Sequence, residues 1–178
     1  MRHERGALSE QLARSGLSTR PATRDDAEAT RSIYNIEVET SVVTFDLVAR
    51  SLDEQRSWLA DRSGAHAVIV AEDSSGTLVG FASLSPYKVR PAYSTSVEDS
   101  VYVHRGHQGQ GIGALLLAEL LDVARSHGFH AVFARIVGGH EASIALHRAQ
   151  GFEIVGTERE VGRKFSRWLD VTIMQRLL

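Results

Sequence analysis

Segment 101–114, VYVHRGHQGQGIGA, holds the residues whose types and spacing point most directly to chemistry. It predicts a strand that runs into a turn and then into an apolar helix, with Gly109, Gly111 and Gly113 in between. Glycines let backbone N–H groups turn inward without obstruction by a Cβ atom, and a helix N-terminus adds a partial positive charge. Because a tight turn needs fewer glycines than this, the segment predicts a phosphate-binding loop.

Two known nucleotide motifs fit this loop poorly. Gly109-x-Gly111-x-x-Ala114 matches the dinucleotide fingerprint in form. That fingerprint, however, follows the first strand of a doubly wound sheet, with an acidic residue about 20 positions further on. Here the loop lies beyond the midpoint of the chain, and the next predicted strand carries Arg135 near its end. The Walker motif is missing its Gly-Lys-[Ser/Thr] end, so neither nucleotide class is favoured.

The predicted elements place this loop in the second half of an α+β domain. Apolar patterns and capping motifs predict helices over 23–38, 51–64, 114–127 and 141–150. Strands are predicted over 20–23, 67–71, 78–84, 97–103, 130–136, 152–155 and 168–174, and an irregular apolar loop over 41–46. This order predicts a mixed sheet with hairpins in its first half and a strand–helix–strand unit in its second.

Composition limits the class of protein. The chain has 178 residues, 43% of them hydrophobic, which suits a single domain; we assign it to 18–178, after a polar extension over 1–17. No cysteine is present, which excludes thiol catalysis and disulfides, and a net charge of −2 does not favour nucleic acid as a partner. The sequence has neither a secretory signal nor an apolar window of about 18 residues, so we expect a soluble cytoplasmic protein that does not bind membranes.

The loop and the segments around it resemble the GNAT acyltransferase superfamily. The superfamily signature [RQ]-x-x-G-x-[GA], between a strand and a helix, is matched by Gln108-Gly109-Gln110-Gly111-Ile112-Gly113. The resemblance extends over about 18–178 and is nearest to the phosphinothricin acetyltransferase branch, some members of which acetylate methionine sulfoximine and methionine sulfone. Branch-like segments are 41–45, 97–103, 142–147 and 160–171.

The resemblance implies a fold and a co-substrate. The fold is a central mixed, mostly antiparallel sheet that splays between two parallel strands and is flanked by helices, and acetyl-CoA binds in the splay. The backbone of Val101, Tyr102 and Val103 would contact the pantetheine and acetyl groups. His140 stands where relatives usually carry a pantetheine-binding Asn, and Ser143 follows it. The pyrophosphate would lie on the loop residues Gln108, Gly109, Gln110, Gly111, Ile112, Gly113 and Ala114.

Glu98 is the candidate general base. An amine with a pKa of about 9 is only about 1% neutral at pH 7, so a base or a desolvated site must release its lone pair. Glu98 lies just before the splayed strand segment, and the resemblance implies that it takes the ammonium proton, directly or through water. A solvated or ion-paired carboxylate is the alternative. The neighbouring Asp99 should face the other side of the strand and is interpreted as structural.

His147 is a second candidate for catalysis. It lies on one helical face with Ser143, and the branch carries His where many relatives carry the Tyr that protonates the thiolate leaving group. A buried His that packs and bonds to backbone is the alternative. His104 and His107 are spaced for a metal, but they have no nearby carboxylate or Cys partner, so no metal is predicted.

Several residues are candidates for holding an amino-acid-like acceptor. Lys88 and Arg90, with Tyr93, precede Glu98 in a predicted loop, and cationic side chains of this kind pair with carboxylate or phosphinate oxygens. An ordinary charged loop is the alternative. Thr44 and Phe45 would form another wall. Lys164 would complete the site across a homodimer interface, as the resemblance implies, or would lie in a plain hairpin turn.

The favoured function is acetyl transfer from acetyl-CoA to the α-amine of a small amino-acid-like substrate, of the phosphinothricin, methionine sulfoximine or methionine sulfone type. Two other functions stay open. One is acetylation of protein N-termini or lysines. The other is a non-catalytic acyl-CoA sensor, against which the retained Glu98 argues weakly.

Overall fold

The computed structural model describes residues 16–62 and 64–178, so most of the predicted N-terminal extension lies outside the described residues. Four α-helices are described: α1 Ala27–Thr40, α2 Leu52–Ala60, α3 Ile112–Ser126 and α4 Glu141–Ala149. The strands are β1 Ser18–Pro21, β2 Val68–Glu72, β3 Leu78–Pro86, β4 Ser96–Val103, β5 Ala131–Val137, β6 Glu153–Lys164 and β7 Arg167–Leu177.

The strands form one seven-stranded sheet in the order β1-β2-β3-β4-β5-β7-β6. Five of the six neighbouring pairs are antiparallel, and β4 and β5, which α3 connects, are parallel. The predicted mixed, mostly antiparallel sheet with a parallel pair is therefore confirmed.

Two apolar clusters hold helices on opposite faces of the sheet. On one face, α3 buries a stripe of Leu116, Leu117, Leu120 and Leu121 against the sheet, as its apolar spacing predicts. On the other face, α1 and α2 bury Ile33, Tyr34, Val38 and Leu59 against residues of β2 and β3. The sheet is thus the middle of three layers. Among the described residues, no helix combines the length and apolar character that a membrane crossing requires.

Both predicted capping boxes form. Ser51 Oγ accepts a hydrogen bond of 3.2 Å from the backbone N–H of Glu54, and the Glu54 carboxylate accepts one of 2.7 Å from the backbone N–H of Ser51. At the earlier site, the box of Thr23 and Asp26 opens a single 3₁₀ turn, and α1 begins only at Ala27.

The main difference from the predicted elements lies in the last hairpin. The predicted strand over 152–155 is the beginning of the twelve-residue β6, which ends at Lys164. A two-residue turn with left-handed backbone at Phe165 and Ser166 then leads into β7. Since β6 is an edge strand with most side chains exposed, it shows no alternation of apolar and polar residues from which its length could be predicted.

Candidate active site

The parallel strands β4 and β5 separate halfway along their length. Their paired register runs from Ser96 opposite Ala131 to Glu98 opposite Phe133 and then stops. Beyond this point β4 pairs only with β3, and β5 only with β7. The backbone of 101–103 therefore presents unpaired groups toward the gap, where an extended ligand can add as a strand does. The predicted splay is confirmed.

A cavity of about 370 Å³ occupies this splay. Its wall includes Glu98, Val101 and Tyr102 from β4, and Arg135 and Val137 from β5. The connection between α1 and α2 and the start of α4 complete the wall. The splay therefore brings together residues that are more than 100 positions apart in the sequence, among them Tyr34, Thr44, Phe45, His140 and His147.

The glycine-rich loop lies at the end of β4 and leads directly into α3. Gly109 and Gly111 have φ angles of 75° and 82°, a left-handed conformation that glycine adopts at little cost. A Cβ built on either residue meets no atom within 4 Å, so their outer side faces open space. Gly111 is also the N-cap of α3, whose first N–H groups have no intrahelical partner. This arrangement suits a pyrophosphate, and it fits the predicted role of the loop.

The other loop residues differ in their surroundings. Gln108 and Gln110 are exposed, and Ile112 is buried in the core under α3. A Cβ on Gly113 would lie 3.2 Å from Leu146 Cδ2, so this glycine allows α3 and α4 to approach closely. Sequence reasoning grouped these residues by motif, whereas the structure divides them between an exposed loop and a packed helix start.

Glu98 lies at the point where the strands separate. Its side chain is half-buried and lines the cavity on the face of the sheet that carries α1. Burial raises the pKa of Glu98 because it disfavours the charged carboxylate, while the positive charge of Arg135 opposes this shift. A carboxylate with a raised pKa beside a cavity is suited to accept a proton.

Asp99 faces the opposite side of β4 and contacts His147 of α4. His147 Nε2 lies 2.9 Å from Asp99 Oδ2, and its Nδ1 lies 2.7 Å from the carbonyl oxygen of Ser143. Since a carbonyl only accepts, Nδ1 carries a hydrogen, and a further proton is shared between Nε2 and Asp99. Burial lowers the pKa of His147, but the hydrogen bond and charge of Asp99 outweigh this effect and raise it.

Both ring nitrogens of His147 are therefore engaged, and only 3% of the residue is exposed. The predicted orientation of Asp99 is confirmed, but its partner was not foreseen. Asp99 Oδ1 is buried with no hydrogen-bond partner among the described residues, and both Asp99 and His147 lie in the cavity wall. The role of His147 in protonating a leaving group stays a prediction.

His140 and Ser143 lie on the same side of the cavity. His140 is the N-cap residue of α4, and burial of the ring lowers its pKa, so the imidazole is neutral at pH 7. A neutral imidazole both donates and accepts hydrogen bonds, as the predicted contact with a pantetheine amide requires.

The connection between α1 and α2 forms the opposite wall. Thr44 is buried, and its hydroxyl lies 2.9 Å from the Tyr34 hydroxyl, which donates to Asp46 at 2.6 Å. Phe45 is 40% exposed and packs on Gly162 of β6, where a Cβ would lie 2.4 Å from its ring. Both predicted residues therefore line the cavity.

The other candidates for acceptor binding lie elsewhere. Lys164 is buried, and its Nζ donates to the carbonyl oxygen of Thr44 at 2.9 Å, so it supports the wall from behind. Burial lowers the pKa of Lys164. Within the described part of the chain, the cavity wall does not include Lys88, Arg90 or Tyr93. Lys88 lies over the rings of Tyr87 and Tyr93 instead.

Sequence reasoning missed several residues of the cavity wall, and Tyr34 and Arg135 are the two among them with a phenol or a charged side chain. Arg135 was noted only as a basic residue where a dinucleotide site would need an acidic one. The position of Arg135 on the strand that separates from β4 was a signal that it could lie near the site. The direction of its side chain, however, depends on the register of β5.

Comparison with known proteins identifies the class. Residues 19–173 match the Acetyltransferase (GNAT) domain family, and the chain belongs to this family of acetyltransferases. It is 41% identical over 165 residues to a phosphinothricin N-acetyltransferase of Streptomyces coelicolor, covering 91% of this chain and 96% of that protein. It is 37% identical over 159 residues to an L-methionine sulfoximine/L-methionine sulfone acetyltransferase of Pseudomonas aeruginosa, covering 89% and 92%.

Solved structures agree with this assignment. A GNAT superfamily phosphinothricin acetyltransferase from Sinorhizobium meliloti in complex with acetyl-CoA superimposes with a TM-score of 0.88, at 37% identity, covering 92% of this chain and 89% of that one. A ribosomal-protein-alanine N-acetyltransferase from Brucella melitensis also gives 0.88, at 42% identity, covering 90% and 99%.

Proposed function

We propose that this acetyltransferase transfers the acetyl group of acetyl-CoA to the α-amine of a small amino-acid-like substrate. The observation that carries the proposal is the half-buried carboxylate of Glu98 in the cavity wall, at the point where β4 and β5 separate. The names of the similar proteins from Streptomyces coelicolor and Pseudomonas aeruginosa support acceptors of the phosphinothricin, methionine sulfoximine and methionine sulfone type.

The donor binds along β4 in this proposal. Backbone groups of Val101, Tyr102 and Val103 pair with the pantetheine arm, and His140 and Ser143 contact it from α4. The N–H groups of the glycine-rich loop bind the pyrophosphate. Acetyl-CoA supplies the thioester whose carbonyl carbon is attacked.

Glu98 prepares the acceptor. Its carboxylate accepts a proton from the substrate ammonium group, directly or through one water molecule, and leaves the amine with a free lone pair. Because burial raises the pKa of Glu98, the carboxylate is a stronger base than an exposed Glu. The second proton released by the amine after attack returns to solvent or to the thiolate. His147 is our candidate for the group that protonates the thiolate leaving group. Asp99 then returns a proton to His147.

The acceptor lies against Thr44 and Phe45 in this proposal. Lys88, Arg90 and Tyr93 approach it only if the loop that carries them changes conformation. A homodimer in the cytoplasm, with the Lys164 hairpin of each subunit near the site of the other, is part of the proposal.

The test is a panel of acceptors assayed by release of free thiol from acetyl-CoA. We expect phosphinothricin, methionine sulfoximine and methionine sulfone to have kcat/KM values at least about tenfold above those of lysine and polyamines, since a hydrogen bond from a charged donor to their tetrahedral oxygens is worth about that factor. A panel in which polyamines or aminoglycosides react fastest would contradict the acceptor class and leave acetyl-CoA as donor.

A second function is favoured by one observation, the similarity to the ribosomal-protein-alanine N-acetyltransferase structure. Intact-mass analysis of peptides incubated with acetyl-CoA, beside free amino acids at equal concentration, distinguishes the two functions. Acetylation of peptide N-termini without acetylation of free amino acids would replace our proposal. A protein that binds acetyl-CoA and acetylates neither would be the acyl-CoA sensor.

A further inference from the structure

The cavity wall contains one fixed positive charge. Among the described residues that line the cavity, Arg135 is the one Arg or Lys side chain. The predicted cationic residues are placed differently, since Lys164 donates to main-chain carbonyls behind the wall and Lys88 lies over aromatic rings. An anionic group in the cavity would therefore meet Arg135 first.

Arg135 shares a face of the sheet with Glu98. Phe133 lies opposite Glu98 in the parallel register, and Arg135 follows two positions along β5, so its side chain projects to the same side. Both side chains reach the same cavity. The wall therefore presents a carboxylate and a guanidinium next to each other on the two strands that separate.

The guanidinium is held in place but not saturated. Its Nη1 and Nη2 donate to the two carboxylate oxygens of Glu158 on β6. A guanidinium has five N–H groups, and no described residue accepts a hydrogen bond from Nε of Arg135. The ion pair is partly exposed, with 31% and 37% of the two side chains accessible, so it contributes little to stability. A ligand carboxylate can therefore bind the guanidinium at little cost to the folded protein.

We propose that Arg135 binds the α-carboxylate of the acceptor while Glu98 faces its α-amine. This inference rests on the proposed function and names the group that selects amino acids among amines. An α-amino acid carries an ammonium and a carboxylate on one carbon. Glu98 and Arg135 present a negative and a positive charge next to each other, which complements this pair. The guanidinium also repels a second cationic group, which disfavours polyamines.

The test compares an amino acid with its carboxamide. Methionine sulfone and methionine sulfone carboxamide are assayed as acceptors with the wild-type protein, Arg135→Met and Arg135→Lys. In Arg135→Met we expect KM for methionine sulfone to rise about 10- to 100-fold, the usual cost of losing a charged hydrogen bond. The KM for the carboxamide should change less than about twofold. Arg135→Lys should restore part of the difference, because it returns the charge without the bidentate geometry.

The ratio between the two acceptors isolates the contact. Loss of the Arg135 charge also raises the pKa of Glu98, which lowers kcat for both acceptors and does not raise the KM of methionine sulfone alone. Glu158→Gln leaves the guanidinium in place and should not raise KM for methionine sulfone. Arg125→Met, which breaks a surface ion pair with Asp122 on α3, is the matched control and should change neither KM.

Two failures are distinguishable. If the wild type acetylates methionine sulfone but Arg135→Met changes the KM of both acceptors equally, or of neither, the assignment of Arg135 is overturned and the proposed function stands. If the wild type acetylates no α-amino acid, the proposed function is overturned and this assignment with it. Unchanged acetyl-CoA affinity in Arg135→Met confirms that the variant is folded.

Discussion

The two sides of the splay are built in different ways. In the proposed function, the donor side consists of β4 beyond Glu98, the glycine-rich loop and the start of α3, which are consecutive in the chain and would act mainly through backbone groups. The proposed acceptor side consists of five residues that line the cavity, come from four separate segments and would act through side chains: Glu98, Arg135, Tyr34, Thr44 and Phe45.

This difference follows from the chemical features of each ligand that the protein must recognise. A pyrophosphate and an extended pantetheine arm are bound by N–H groups and a strand edge, which a short local motif provides. An acceptor amine is distinguished by charge and shape, which need side chains brought together by the sheet. Changes on the donor side should therefore affect every acceptor equally, and changes on the acceptor side should depend on the acceptor.

Replacing the base should have the largest effect. For Glu98→Gln we expect kcat/KM at pH 7 to fall by about 10² to 10⁴, since the amide cannot accept the proton. The deficit should shrink as the pH approaches the pKa of the amine, because free amine then forms without a catalyst. Measurement of kcat/KM against pH, with direct binding of acetyl-CoA, checks both statements. Wild-type rates at pH 7 would remove Glu98 from the mechanism.

The same substitution should not destabilise the protein. The folded-state pKa of Glu98 is raised above its usual value, so its contribution to stability is present at low pH and is lost as the pH rises through the folded pKa. Above the folded pKa the ionised group is therefore unfavourable for folding, and Glu98→Gln should there be at least as stable as the wild type. Glu153→Gln, an exposed carboxylate on β6, is the matched control and should change neither rate nor stability.

Changing the glycine-rich loop should weaken acetyl-CoA binding and should affect every acceptor equally. Gly111→Val places a β-branched residue at a φ of 82° and a side chain in the open space outside the loop. We expect acetyl-CoA to bind at least about tenfold more weakly, because the left-handed conformation alone costs about 1–2 kcal/mol. The rise in Tm that acetyl-CoA produces in the wild type should then be smaller at the same acetyl-CoA concentration.

NADP and ATP serve as ligand controls for that experiment. Neither should raise the Tm of the wild type as much as acetyl-CoA does. A variant that keeps the full acetyl-CoA shift would show that the loop does not bind the pyrophosphate, and stabilisation by NADP instead of acetyl-CoA would contradict the assigned donor.

The smallest effect should be on stability, at the pair that joins β4 to α4. Asp99→Asn removes the negative charge from a buried hydrogen bond to His147, and we expect a loss of about 1.5–3 kcal/mol in the free energy of unfolding. Because Asp99 raises the folded pKa of His147, the stabilisation is complete below the usual pKa of 6.5 and is lost as the pH rises through the raised value.

Urea unfolding at pH 6 and pH 9 checks the sign of that pH dependence. The difference between Asp99→Asn and the wild type should be larger at pH 6. A larger difference at pH 9 would mean that His147 is neutral in the folded protein. The ratio of kcat/KM between two acceptors should be the same in this variant as in the wild type, since the pair lies on the side of β4 opposite Glu98.

Sequence and structure agree best where the signal is local. The Ser51 capping box, the glycine-rich loop and the apolar stripe of α3 were all predicted, because each depends on residues within one short, continuous segment of the sequence. The length of β6 was not predicted, because an exposed edge strand has no apolar period. The bond between Asp99 and His147 was not predicted either, since the two residues are 48 positions apart.

The sequence by itself determined the family, the mixed sheet, the glycine-rich loop that suits a pyrophosphate and the position of Glu98 just before the splayed part of β4. Only the tertiary structure decided which cationic side chain reaches the cavity. Lys164 is held behind the wall by the carbonyl of Thr44, and Arg135 projects into the cavity from β5. The reason is that backbone recognition is encoded in a short segment, whereas the direction of a side chain depends on strand register, which distant parts of the chain fix together.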